Sequence, residues 1–439
     1  MNAHARSIAR AVIPIVVAVS SGLVGQLLGD PPPITVLKAA RLFDGKSKVL
    51  IQNGVVIVQG DKIVDAGSNI SLPAGAKLID LGDATLSPGF MDAHTHLTLD
   101  YSGNYNERIY EEMQTEVPLL AYKAMPYAQR TVMAGFTTVR DVGAADFVDV
   151  AMREAIAQNL FAGPRMLVAT KGIGATGGHF DPTAGFRDHL FGKEPDFTQS
   201  IADGPFEIRK IVRYEVKNGA DVIKAAVSGG VTSPTDEVDV PQLTPEEMAA
   251  LVDEAHRLRK KVAVHSHGDQ AAREAIIAGV DSIEHGSFMT KETLQLMKNK
   301  GTFLVPTLMA TEFIAAKASS YPPAIAEKGI AARNVRSEMF RNALQLAVKI
   351  AFGTDAGVFP HGQNAKEFKL MVELGMPPID ALRSATSVDA ELFGISAKVG
   401  TLEKGKLADI IAMPGDPIHD ITATERVFFV MKEGKILKS

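Results

Sequence analysis

Two histidines, His94 and His96, close a short apolar run near residue 90. In an extended strand, residues two apart point to the same face. Two imidazoles would therefore lie side by side at the end of a buried strand, an arrangement that suits a metal ion. Taken alone the pair is a weak signal, because a hydrogen-bonded polar pair or a solvated turn would show the same spacing.

Four further side chains that can bind or border a metal follow apolar runs downstream. They are Lys224 in DVIK, His265 in VAVH, His285 in SIEH and Asp355 in FGTD. If these runs are parallel strands of one barrel, their carboxyl ends meet on one ring, where barrel enzymes carry their active sites. The sequence therefore predicts one metal site assembled from several strand ends.

The region from residue 87 to residue 396 alternates apolar runs with helical patterns. Eight runs are candidate strands: Gly89–Ala93, Thr137–Arg140, Arg165–Ala169, Asp221–Lys224, Val262–His265, Ser282–His285, Phe303–Pro306 and Ile350–Gly353. They are continuously apolar, as strands are when both faces are buried. A helix is predicted over Thr244–Leu258, which begins with a capping pattern. Strand–helix units in series predict an α/β fold, a (β/α)₈ TIM-like barrel.

The two ends of the chain have a different pattern, of short alternating strands separated by turn dipeptides such as Asn53-Gly54 and Gly60-Asp61. Segments 34–86 and 397–439 share this pattern. We therefore expect the two ends to form one small β-sandwich domain that closes around the barrel of residues 87–396.

The first thirty residues form a separate apolar leader. Arg6 and Arg10 precede an apolar stretch from Ala11 to Leu28, and three prolines follow. This order predicts a signal peptide over residues 1–30 and an exported, periplasmic or secreted protein. An uncleaved membrane anchor is an alternative, because the stretch is near the minimum length of a membrane span. A cytoplasmic protein with a misassigned start codon is another.

Composition excludes several classes of function. The chain has 439 residues, 22% of them charged, and a net charge of −5. Because it shows no basic patch, we expect no nucleic-acid partner. Cysteine is absent, which excludes disulfides, thiolate metal ligands and a cysteine nucleophile.

The donor set predicts metal chemistry. Imidazole and carboxylate ligands suit Zn²⁺ and its neighbours, and four histidines with an aspartate exceed the needs of one zinc, so two divalent metals are predicted. If burial keeps the Lys224 amine neutral, it can react with CO₂ to give a carbamate that bridges both metals. The alternative is an ordinary salt bridge to a barrel carboxylate. Water between two such metals would become acidic enough to attack a carbonyl, and Asp355 could take its proton and pass it to the leaving amine.

With these residues the chain resembles the amidohydrolase superfamily, whose members are metal-dependent hydrolases on a distorted (β/α)₈ barrel with a small β-domain from both termini. The resemblance runs from about residue 34 to the end. It implies that His94, His96 and Asp355 hold the more buried metal. It implies further that His265 and His285 hold the more exposed one, that carboxylated Lys224 bridges them, and that the protein is a homo-oligomer.

Two glycine-rich segments point to one branch of this superfamily. Residues 172–179 and 228–234 resemble the Xaa-Pro dipeptidase and N-acyl-amino-acid carboxypeptidase branch, which includes ochratoxin-hydrolysing amidases. Deaminase-like relatives and imidazolonepropionase lack the lysine found here at Lys224. In the resembled branch the histidine of the Gly-Gly-His loop helps to bind substrate, which implies that role for His179.

The resulting expectation is a binuclear hydrolase that cleaves an amide bond of a dipeptide or N-acyl amino acid, with Asp355 as general base and acid. A lactone or phosphoester hydrolase with the same metals is the alternative. Arg140 and Asp141 are predicted to support the site by hydrogen bonds. His267 is predicted to lie behind the ligands or in solvent, with ligation as the alternative, and His361 to line the pocket or a surface loop.

Overall fold

The computed structural model describes residues 32–100, 104–187 and 190–439. The leader predicted over residues 1–30 lies outside the described residues. Among the helices of the described part, none combines the length and the apolar character needed to cross a bilayer.

Strands and helices alternate through the middle of the chain, and strands with one 3₁₀ turn make up the described segments 34–88 and 410–438. The strands are β1 (Ile34–Leu42), β2 (Ile51–Gln59), β3 (Lys62–Ser68), β4 (Lys77–Asp80), β5 (Ala84–Pro88), β6 (Phe90–Thr95), β7 (Phe136–Asp141), β8 (Arg165–Val168), β9 (Val222–Ala226), β10 (Lys261–Ser266), β11 (Ser282–His285), β12 (Phe303–Val305), β13 (Ile410–Pro414), β14 (Phe429–Lys432) and β15 (Lys435–Lys438). The α-helices are α1 (Tyr105–Gln114), α2 (Val117–Met133), α3 (Val148–Ala157), α4 (Pro205–Lys217), α5 (Pro245–Arg257), α6 (Asp269–Ala278), α7 (Lys291–Lys300), α8 (Leu308–Ala316), α9 (Pro323–Gln345), α10 (Lys366–Glu373), α11 (Pro378–Arg383) and α12 (Asp389–Phe393). Shorter turns are 3₁₀ at Ala318–Ser320 and Ile421–Arg426 and π-helical at Ser384–Val388.

The two ends of the chain share one sheet. Its strand order is β15-β14-β13-β5-β1-β2-β3, with β4 beside β1. The link between the ends is the antiparallel pair of β13 and β5, in which Ile411 lies opposite Ser87. Leu37, Leu86 and Phe429 are fully buried in one apolar core of this sheet, so both ends contribute to its hydrophobic stabilisation.

The middle of the chain forms parallel strands, in the orders β6-β7-β8 and β12-β11-β10-β9. Between β8 and β9, Asp221 N donates to Val168 O (2.7 Å). On the other side, residues 349–355 run between β12 and β6, where Leu304 N donates to Lys349 O (2.9 Å) and Ala93 N donates to Phe352 O (2.8 Å). The fold is the TIM-like α/β barrel with a β-rich domain that the sequence predicts.

The predicted eighth strand, Ile350–Gly353, is reduced to a single bridge between Ile350 and Leu304. The reason is that the Asp92 side chain, on the first barrel strand, accepts the hydrogen bond that Thr354 N would otherwise donate to a backbone carbonyl. Thr354 donates from N to Asp92 Oδ1 (3.1 Å) and from its hydroxyl to Asp92 Oδ2 (2.6 Å). Because a side chain takes the place of the strand carbonyl, the regular ladder is interrupted at Thr354, and backbone pairing resumes beyond it, where Asp355 N donates to the His94 carbonyl (2.8 Å).

The predicted helix Thr244–Leu258 is present as α5, with those two residues as its caps. Glu247 N donates to the Thr244 hydroxyl (3.2 Å), and Thr244 N donates to the Glu247 carboxylate (2.7 Å). This reciprocal pair satisfies backbone N–H groups that the first helical turn leaves free. The residues whose pattern predicts the helix start, Thr244 and Glu247, therefore form the hydrogen bonds that cap it.

Candidate metal centre

The first barrel strand brings two imidazoles onto one carboxylate. The nitrogen atoms His94 Nε2 and His96 Nε2 lie 3.5 Å and 3.3 Å from the same oxygen, Asp355 Oδ1. Asp355 has φ = 63°, a left-handed conformation that is uncommon for a residue other than glycine. Such backbone strain persists where the surrounding structure requires it, which is often at functional sites.

His265 and His285 complete the ring of histidines. The centroid of the His285 ring lies 4.6 Å from that of His265 and 5.0 Å from that of His94. One ligand atom each from His94, His285 and Asp355 falls within 4.8 Å of the others, a spacing that could hold a metal ion. The structure thus brings the five predicted imidazole and carboxylate ligands together at one end of the barrel.

Burial favours the neutral form of three of these imidazoles, whereas at His96 the Asp355 carboxylate outweighs burial and raises the pKa. It lowers the pKa of His265 and of His285 well below the usual value. Burial, with Lys224 nearby, lowers the pKa of His94 to about 4. A neutral imidazole offers a ring nitrogen with a free electron pair, which is the form that a metal ion needs.

Lys224 lies on β9, beneath the ring of histidines. It is 1% exposed, and its Nζ has no hydrogen-bond partner among the described residues. Burial lowers the pKa of Lys224 to about 8, against the opposing charges of Glu284 and Asp355. The salt-bridge interpretation of this lysine is therefore wrong, since no carboxylate of the described chain lies within ion-pair distance. A buried amine with no partner in the described chain and a lowered pKa loses its proton more easily than an ordinary lysine, which carbamate formation requires.

Three of the predicted histidine ligands are oriented through their second ring nitrogen. His94 Nδ1 donates to Glu284 Oε2 (2.9 Å), and His96 Nδ1 donates to the Gly143 carbonyl (3.0 Å). His285 Nδ1 is hydrogen-bonded to the Thr307 hydroxyl (2.7 Å). In all three rings Nε2 is left as the atom that could bind a metal, and such outer partners fix ring orientation in metal sites.

Glu284 supports the site although its position in the sequence does not indicate this role. Its second oxygen accepts from Arg140 Nη2 (2.8 Å) and from the Ser282 hydroxyl (2.6 Å). Although burial favours the neutral acid, Arg140 beside it lowers the pKa of Glu284 to about 2. Strand alternation predicts opposite faces for Glu284 and His285, but His285 has φ = 70°. This break in the strand geometry lets consecutive side chains serve one site.

Arg140 and Asp141 support the ligands by hydrogen bonds, as predicted from the sequence. Arg140 Nε donates to the Ala93 carbonyl (2.7 Å), next to His94. Asp141 Oδ2 accepts from Leu97 N (2.6 Å), which follows His96. Both residues therefore hold the backbone of the first barrel strand on either side of its histidines.

His267 joins the cluster in space, but its ring is poorly oriented for sharing a metal with His285. Their rings stack at a centroid distance of 4.8 Å with an interplanar angle of 12°. The electron pair of a ring nitrogen lies in the plane of the ring. Because the two rings are nearly parallel, their electron pairs lie in two separate planes and do not converge on one point. A single ion would lie out of the plane of at least one ring, although ligand atoms of His265, His267 and His285 come within 4.8 Å of each other.

The other two singled-out histidines differ in position. His179, in the loop after β8, stacks on His265 with ring centroids 4.3 Å apart. His361 is buried, and its Nε2 donates to the Leu99 carbonyl (2.6 Å) while its ring stacks on Tyr127. The structure therefore brings His179 to the ring of ligands, and it excludes the surface-loop interpretation of His361.

The chain is similar in sequence and in structure to proteins of one known family. Residues 85–437 match the amidohydrolase family. The ochratoxinase of Aspergillus niger is 31% identical over 432 residues, which cover 93% of this chain and 88% of that protein. A crystal structure of a Xaa-Pro dipeptidase with bound methionine in the active site is 41% identical, has a TM-score of 0.87, and is matched over 92% of this chain and 100% of that one.

A crystal structure of a prolidase complexed with N-methylphosphonate-L-proline is 31% identical, with a TM-score of 0.84 over 92% of this chain and 99% of that chain. These similarities confirm both the superfamily and the branch predicted from the sequence, and with them the prediction that the protein is a hydrolase. The chain belongs to the amidohydrolase family.

Proposed function

We propose that the protein is a binuclear metal-dependent amidohydrolase that cleaves the amide bond of dipeptides or N-acyl amino acids carrying a free C-terminal carboxylate. The similar proteins named as an ochratoxinase, a Xaa-Pro dipeptidase and a prolidase support an amide or peptide substrate. The observation that carries the proposal is the buried Nζ of Lys224, which has no hydrogen-bond partner in the described chain and lies near the histidines and the aspartate.

Two groups of residues would hold the two ions. His94, His96 and Asp355 form one group, and His265 and His285 form the other. Lys224 would lie between them: its neutral amine would add to CO₂ with loss of one proton, and the resulting carbamate would carry one negative charge shared by two oxygens, which suits a pair of cations. Bound divalent metals, with Zn²⁺ favoured by the donor set, would supply an activated water and polarise the scissile carbonyl.

The chain's own residues would do the rest. Asp355 accepts a proton at its carboxylate as water attacks and returns it to the leaving amine. Glu284 and Thr307 keep His94 and His285 in their ring orientations through the hydrogen bonds to Nδ1. His179, stacked on His265, would present a ring nitrogen to the substrate carboxylate or carbonyl oxygen.

The substrate proposal is tested with matched pairs of N-acyl amino acids and dipeptides, each as free acid and as C-terminal amide. We expect hydrolysis of the acids and little or none of the amides. His179→Ala should lower kcat/KM on the acids by roughly 10²–10³, the typical effect of losing one positioned donor. Amides cut as fast as acids, with His179→Ala unaffected, would contradict the proposal, and activity on lactones or phosphoesters instead would assign the centre to the alternative reaction.

A further inference from the structure

The loop after β9 carries a serine that holds the His179 ring. His179 Nδ1 lies 2.9 Å from Ser233 Oγ, and Ser233 Oγ lies 2.5 Å from Asp236 Oδ1. An ionised carboxylate can only accept, so the Ser233 hydroxyl donates its one hydrogen to Asp236. The serine oxygen then accepts from His179 Nδ1, which must carry a hydrogen.

This direction of the hydrogen bonds fixes the role of each ring nitrogen. Because Nδ1 of His179 is engaged with Ser233, Nε2 is the nitrogen left to meet a substrate, and it donates to a substrate oxygen only when the ring carries a second hydrogen. Within the described chain no hydrogen bond to His179 Nε2 is present. The ring is also held from one side by His265, with an interplanar angle of 28°.

The Asp236 carboxylate is held by a hydrogen bond from Gln242. Its Oδ2 accepts from Gln242 Nε2 (2.8 Å), and Gln242 Oε1 accepts from His179 N (2.9 Å). Gln242 therefore ties the backbone of the histidine to the carboxylate that orients its ring. The Asp236 side chain is only 8% exposed, which shields these bonds from competition with water.

Lys328, on α9, fastens the same loop from outside the barrel. Its Nζ donates to the carbonyls of Gly230 (2.8 Å), Ser233 (2.6 Å) and Asp236 (2.9 Å), and it lies 3.2 Å from Asp236 Oδ1. Gly230 is where the His179 ring approaches the loop: a Cβ at this position would lie 2.1 Å from His179 Nδ1. A glycine is therefore required there for the imidazole to reach Ser233.

We propose that Ser233 and Asp236 are positioning residues for His179, which hold its ring through Nδ1 and aim Nε2 at the substrate. The inference rests on the proposed function, because it assumes that His179 contacts the substrate. Neither residue touches the ligand histidines through a hydrogen bond to their rings in the described structure. Their effect should therefore appear in substrate turnover and not in metal content.

The test compares variants of the full-length, metal-loaded protein on one free-acid substrate that the wild type cleaves. Ser233→Ala and Asp236→Asn should each lower kcat/KM about 10- to 100-fold, the range typical of partners that orient a histidine through its second nitrogen. Ser233→Thr, which keeps the hydroxyl, should restore most of the activity. Asp203→Asn is the matched control, because Asp203 accepts from the Thr176 hydroxyl (2.7 Å) in the same loop as His179 and does not bond to that ring.

A cycle with His179→Ala separates orientation from general loop structure. If Ser233 acts through His179, then Ser233→Ala should have no further effect in the His179→Ala background, since residues in one network are not additive. Metal content and melting temperature, measured in parallel, should stay at the wild-type values for Ser233→Ala. Asp236→Asn provides the second measurement if Ser233→Ala does not fold.

Three results would overturn the inference. They are wild-type kcat/KM in both Ser233→Ala and Asp236→Asn, multiplicative losses of Ser233→Ala and His179→Ala, and a loss of activity that follows a loss of metal. The proposed function would fail differently, by a wild-type protein without activity on any free acid. An active wild type with unaffected loop variants would therefore reject this inference alone.

Discussion

Lys224 is the residue on which the two-metal account depends most. A lysine ammonium beside two cations would be repelled, whereas a carbamate on the same nitrogen would attract them. The structure increases the fraction of the reactive, unprotonated amine, because Nζ is buried with no partner among the described residues and burial lowers the pKa of Lys224 to about 8.

We predict that Lys224→Ala loses most of the activity and much of one metal equivalent. The missing bridge is a bidentate anion, so added acetate should partly restore turnover by taking its place. Turnover and elemental analysis of the variant, with and without acetate, check this. Wild-type rate and metal content in Lys224→Ala would refute the carbamate.

Glu284 is the second residue whose removal should be informative. It links a ligand, His94, to a buried cation, Arg140. We predict that Glu284→Gln lowers metal affinity about 10- to 100-fold, as is typical when the partner of a ligating histidine is removed. It should also destabilise the fold, because Arg140 stays buried without its counter-charge.

Metal titration and thermal unfolding of Glu284→Gln measure the two effects. Glu391→Gln is a suitable control, since Glu391 pairs with Lys349 at the surface (side chains 55% and 50% exposed) and such pairs contribute little. Equal metal affinity in both variants would show that Glu284 does not orient His94.

At the scale of elements, the ends of the barrel strands carry the candidate metal ligands, whereas the capped start of a helix such as α5 stabilises the fold. The capping box of α5 lies away from the ligands, so its removal should act on folding alone. We predict that Thr244→Ala lowers the free energy of unfolding by about 1 kcal/mol with kcat unchanged. Urea denaturation checks this against Thr244→Ser, which keeps the hydroxyl. A fall in kcat without a fall in stability would contradict it.

The elements also show what a sequence can and cannot predict here. Lys224, His265 and His285 were found because each lies at the end of an apolar run, and apolar runs become buried parallel strands. The eighth strand was overestimated because the Asp92 side chain takes the hydrogen bond of Thr354 N. A contact between residues so far apart in the chain leaves no local signal.

The same limit applies to the supporting residues of the centre. Glu284 was missed because its inward position depends on the left-handed backbone of His285, which strand periodicity does not predict. The Ser233 and Gln242 contacts with His179 join two different loops of the barrel. Glycine spacing identified those loops, but only the fold brings them together.

At the scale of the whole molecule, the sheet from the two chain ends supports the strand that carries the first ligands. Gly89, between β5 and β6, donates from N to the Asp409 carbonyl (2.9 Å). Asp409 and Glu433 also bind Arg165 at the start of β8, at 2.6 Å and 2.5 Å. The C-terminal segment thus binds the barrel at the starts of its strands, at the end opposite to the metal centre.

Metal stoichiometry is the most direct test of the central claim. The protein would be stripped with a chelator, reconstituted with Zn²⁺ and bicarbonate, separated from free metal and analysed for zinc per chain. The account predicts two equivalents, with bicarbonate required for the second because the carbamate carbon comes from CO₂. One equivalent that is independent of bicarbonate, or only a trace of zinc, would contradict it.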